Sequence, residues 1–158
     1  MFRGFWIHKP GEQDRSVLEL IATVDQIDGT IFRSAARIAT GGEPESAELR
    51  VIANAAEAYG LSRALVEAPI VALQGRFLLP NDGSDEIIRR AETCLALVRA
   101  EWRSLSRGVQ VALLPVALVG PYLQVSRNPD RVGAGPQNDV LPMTRVWRLW
   151  MAHLLRRI

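Results

Sequence analysis

The sequence predicts an all-α protein. Apolar residues recur at three- and four-residue steps through four long segments. Glycine and proline punctuate the chain between those segments. No stretch keeps the two-residue alternation of a half-buried strand. The expected architecture is a bundle of about five to six helices, a fold class set by helix packing alone. Residues 1–15 read as an N-terminal extension, and residues 16–158 as one helical domain.

The first helix is expected from about Ser16 to Ala39. Val17, Leu20, Ile21, Val24, Ile27, Ile31 and Ile38 would make its inner face, and Gly41 and Gly42 its stop. The second begins near Pro44 and carries Leu49, Ile52, Ala53, Ala56, Tyr59 and Leu65. Pro69 lacks an N–H and is expected to kink or end it, leaving a short piece from Ile70 to Gln74. Pro80 and Asn81-Asp82-Gly83 mark a loop. Ser84 or Asp85 is expected to cap a third helix reaching about Leu105, with Ile87, Ile88, Ala91, Leu95, Val98 and Trp102 inward. Cys94 lies on that helix, and its expected role is core packing. Val109 to Val125 reads as a buried helix kinked at Pro115 and Pro121. It is too short for the ~20 residues of a membrane span. A Gly-, Pro- and Asn-rich connection, "SRNPDRVGAGPQNDV", leads to a last helix opened by Pro142.

Composition narrows the functional classes. The chain has 158 residues, 48% hydrophobic and 23% charged, so one domain with a substantial core is expected. A net charge of +2 supplies no global field for nucleic acid. With one cysteine, no intrachain disulfide exists. The N-terminal fifteen residues contain no long apolar run of the signal-peptide kind, so the expected location is cytoplasmic or peripheral to a membrane rather than secreted. His8 and His153, the only histidines, are too far apart in sequence to form a zinc-ligand pair at motif spacing, and no metal site is expected from them. No acid follows Asp139, whereas Arg145, Arg148, Arg156 and Arg157 do. The favoured reading is a solvated helix end, with contact to phosphates or anionic lipid as the alternative. Trp147 and Trp150 are expected on the core; beside Arg148 they alternatively make a partner or membrane face.

The run "AYGLSRALVEAPIVALQGRFLLP", a turn, "DEIIRRAETCLALVRAEWRSL", a Pro-interrupted apolar helix and "PMTRVWRLWMAHLL" follow one another in a family-like order. "LELIATVDQIDGTIFRSAARIATGG" precedes them. From about Val17 onward this order resembles the C-terminal half of the squalene/phytoene synthase family. Those enzymes are all-helical and condense prenyl diphosphates. The resemblance implies a partial family domain, without the half that bears the first aspartate motif. It also implies magnesium held by paired carboxylates on helix faces. Counting back from Gly75-Arg76, the second pair of acidic positions falls on Glu67 and Val71, so one carboxylate at most remains. Gly60, Leu61, Pro69, Leu79 and Pro80 are closer to a divergent, non-catalytic branch that includes a mitochondrial complex I assembly factor.

The implied function is therefore a pseudoenzyme: no catalytic residue, no cofactor, and a role in assembly or as a subunit of a larger complex. A protein partner or a homo-oligomer would cover the apolar faces that a half-domain exposes, Phe2, Phe5 and Trp6 included. The alternatives are a C-terminal subunit of a split prenyl transferase, using magnesium with its catalytic half, and a peripheral membrane module. Arg63, Glu67 and Arg76 are the candidate ligand-binding residues. Arg63 and Arg76 are otherwise expected at the surface, and Glu67 as an ordinary exposed helix residue.

Overall fold

The computed structural model describes residues 17–74, 79, 83–127, 142–155 and 157–158. Helix α1 (Val17–Val24) passes through a π-helical turn, Asp25–Gly29, into α2 (Thr30–Thr40). There follow α3 (Ser46–Leu73), α4 (Ser84–Glu101), α5 (Arg107–Ala112), α6 (Val119–Arg127) and α7 (Pro142–Leu155). Short 3-10 segments, Trp102–Ser104 and Leu114–Leu118, join α4 to α5 and α5 to α6. The described residues are predominantly helical, and no strand occurs among them, as the sequence predicts.

The expected first helix is present as one rod, but its inner face differs. Ile31 and Ile38 are 59% and 83% exposed, while Phe32 and Ala36 are buried. The π turn is the reason. In a regular α-helix each four-residue step drifts roughly 40° around the axis. A π turn takes in an extra residue and absorbs that drift. Leu20, Val24, Asp28, Phe32 and Ala36, all four apart, therefore stay buried together. Gly41 ends α2 at φ 73°, left-handed backbone that suits glycine.

Helix α3 is the hub, packed against α1, the π turn, α2, α4 and α6. It buries Val51, Ile52, Ala55, Ala56, Leu61 and Leu65, so its sequence is apolar on more than one side. Pro69 does not end it: the helix continues to Leu73. Proline there removes one bond, to the Leu65 carbonyl, from a helix fixed mainly by tertiary packing. The start lies two residues past Pro44. Glu45 and Glu48 form a reciprocal capping box.

Glu48 also ties α3 to α5. One carboxylate oxygen accepts the Glu45 N–H at 3.3 Å, the other the Ser106 N–H at 2.7 Å. Burial alone would raise its pKa, but these donors outweigh burial and hold it below the usual 4.5. A depressed carboxylate contributes stability above its unfolded pKa and loses it as pH falls through the folded value. Glu48→Gln should therefore cost about 1–2 kcal/mol near neutral pH, since one of two charge-assisted acceptors is lost. The gap to wild type should close as pH drops below 4.5. Urea midpoints across that range check this; a pH-independent gap contradicts it.

On α4 the expected inner residues are all buried: Ile87, Ile88, Ala91, Leu95, Val98 and, just beyond its end, Trp102. The expected side-chain cap is absent, because Gly83 holds the N-cap position. Cys94 is buried, and burial first, with Glu57 nearby, pushes its thiol up to about 11, which keeps it protonated and unreactive. The expected kinked helix Val109 to Val125 is three pieces, with Pro115 in the 3-10 segment. Val109, Leu113, Val116 and Val119 are fully buried in it. Among the described residues, no helix is long and apolar enough to cross a membrane. The 1–15 extension and the 128–141 connection lie outside the described residues.

Candidate functional site

The polar centre of the fold lies where the π turn crosses α3. The π turn directs Asp28 inward, where it is 4% exposed. Gly60 is what lets the two elements approach. A Cβ on it would lie 2.4 Å from a Val24 methyl and 2.7 Å from Asp28 Oδ2. One turn along α3, Arg63 Nη2 donates to Asp28 Oδ1 and Oδ2 at 3.3 and 3.2 Å. Its Nη1 donates to Glu67 Oε1 at 3.3 Å. The guanidinium is thus clamped between a buried carboxylate from one helix and a half-exposed one from its own.

The electrostatics follow from burial. Burial raises the Asp28 carboxyl above its ordinary value, and Arg63 pulls the other way without cancelling it. Burial opposes the charge on Arg63, but Asp28 and Glu67 outweigh it and push its pKa up. Arg63 Nε is buried without a hydrogen-bond partner. Around it, Leu20, Thr23, Val24 and Ile27 line a cavity of about 20 Å³, room for little more than one water. Tyr59 adds an aromatic wall. Its ring centre lies 5.6 Å from Phe32 and 6.2 Å from Tyr122. Arg145 of α7 covers Tyr122 at 5.8 Å.

Of the residues expected at a ligand site, Arg63 and Glu67 are brought together, and Arg76 lies outside the described residues. Arg63 is not the surface arginine expected, since it reaches a buried acid. Sequence reasoning missed Asp28, Tyr59 and Gly60 as members. The available signal was Asp28 itself, an acid in the four-residue series Leu20, Val24, Phe32, Ala36.

The two positions on which the synthase resemblance places magnesium carboxylates do not suit that ion. Glu67 is paired with a guanidinium, and Val71 offers no oxygen. Among the described residues no group of three or more His, Cys, Asp or Glu side chains could hold a metal.

Trp147 and Trp150 lie side by side, their tilted ring centres 5.5 Å apart, and are 59% and 53% exposed, which corrects the expectation that they pack on the core. Arg148 is exposed beside them, about 100° around the helix from Trp147. Comparison with protein-family models, curated proteins and solved structures returns no match.

Proposed function

We propose that this chain is a non-catalytic helical subunit, synthase-like in its order of elements, that works by docking on another protein in an assembly. The observation that carries the reading is the Arg63 clamp. Where a prenyl-diphosphate enzyme needs free carboxylates for magnesium, the carboxylate of Glu67 is engaged by Arg63, which is itself held by Asp28. Both terminal nitrogens of Arg63 are engaged by carboxylates from its own helix and from the π turn, an arrangement suited to fixing two helices rather than to receiving a charged substrate. The exposed Ile31 and Ile38, seven residues apart on α2, supply an apolar stripe that a protein partner would cover.

Two measurements test this. Incubation with farnesyl or geranylgeranyl diphosphate and magnesium should give no turnover, alone or with a neighbouring gene product; turnover would favour the split-transferase alternative and overturn the reading. Light scattering on the purified chain should return a mass above that of a 17.5 kDa monomer. A stable monomer that forms no complex would count against it.

A further inference from the structure

Helix α7 is amphipathic the wrong way round for a helix of an isolated domain. Arg145, Leu149 and Ala152 face the fold, and α7 rests on the Leu114–Leu118 segment. Met143, Trp147, Trp150 and Leu154 all point outward and fall within roughly 60° on the helix circumference. Their 4-3-4 spacing makes one continuous apolar stripe of exposed side chains. Val146 extends it on one side, also exposed.

Charge decides what covers this stripe. From residue 140 to the end the chain has no acid, while Arg145, Arg148, Arg156 and Arg157 carry positive charge. A second copy seated stripe to stripe would set the arginines of both helices against one another with no acid between them, a repulsive arrangement. The occupant is therefore anionic. Arg145 is turned inward over Tyr122, so Arg148 and Arg157, both exposed, are the described arginines of the rim. Two adjacent indoles with an aliphatic row fit a lipid headgroup boundary, where tryptophan places its ring in the apolar layer and its N–H in the wet one. At 14 residues, about 21 Å, α7 is too short to cross a bilayer and long enough to lie in its plane.

We infer that α7 docks the protein flat on an anionic lipid surface, with the Met143–Trp147–Trp150–Leu154 stripe inserted among the acyl chains and Arg148 and Arg157 on the headgroups. This goes beyond the proposed subunit role and does not depend on it. The test is co-sedimentation of the full chain with phosphatidylcholine vesicles, with and without phosphatidylserine. The wild type should sediment with the anionic vesicles and much less with the neutral ones. Trp147→Ser with Trp150→Ser should abolish binding with the helical circular dichroism spectrum unchanged, because both side chains are exposed. Arg148→Glu with Arg157→Glu should lower binding at least about tenfold, and added salt should weaken the wild type likewise. No sedimentation overturns the inference, as does equal binding to both vesicles that ignores the arginine variant. Vesicle binding unchanged by the tryptophan variant, with its oligomeric mass altered instead, also overturns it and makes the stripe a protein interface.

Discussion

Gly60→Ala is expected to destabilise the protein by about 1–3 kcal/mol. The sign is informative, because two effects compete. In the middle of an unconstrained helix, alanine in place of glycine stabilises by up to about 1 kcal/mol through backbone entropy and propensity. Here the added Cβ meets Val24 Cγ1 at 2.4 Å, Val24 Cγ2 at 3.1 Å and Asp28 Oδ2 at 2.7 Å. Val24 and Asp28 are both buried, so neither moves aside cheaply, and steric overlap wins. Val24→Ala in the same chain removes both methyl clashes. The double variant should therefore recover part of the loss relative to the sum of the single changes. Chemical denaturation measures all three; a stabilised Gly60→Ala protein would mean that α3 and the π turn do not pack this closely.

Asp28→Ala should cost about 2–4 kcal/mol, the second large effect. The carboxylate is nearly inaccessible and Arg63 donates to both its oxygens. Its removal leaves a guanidinium that keeps only Glu67, on the outer side of the pair. Arg63 is about one-third exposed and can turn partly toward water, which keeps the cost below that of a wholly buried orphan charge. Asp28→Ala combined with Arg63→Met removes both charges. It should be more stable than the single acid deletion, with a coupling energy of about 1–3 kcal/mol. Glu67→Gln, at a half-exposed partner, should cost less than about 1 kcal/mol. Denaturant midpoints of the wild type, Asp28→Ala, Arg63→Met and the double variant give the cycle. Additive losses would show that Arg63 and Asp28 are not coupled.

The helices were legible because their signal is local. Ile87, Ile88, Ala91, Leu95 and Val98 repeat at helical steps on α4, with Trp102 just beyond its end, and every one is buried. Gly41 stops α2 because a left-handed residue is needed there, a requirement that a glycine advertises in one dimension. Pro69 misled, because its local penalty is one hydrogen bond whereas the packing that holds α3 is spread over its whole length. Ile31 and Ile38 misled for a related reason. Their apolar character is local, but which way they point depends on a π turn that regular periodicity does not contain.

The sequence by itself determined the class of the fold, most of the inner face of α4 and the basic, acid-free character of the C-terminal helix. These rest on residue type and spacing along one chain. Only the tertiary structure decided that Asp28 is buried against Arg63, that Gly60 is the crossing point and that Trp147 and Trp150 face outward. Each of these is a relation between segments far apart in sequence. Burial, helix approach and the side of a helix left bare depend on what the neighbouring elements cover, and that is settled only when α3 and its neighbours pack.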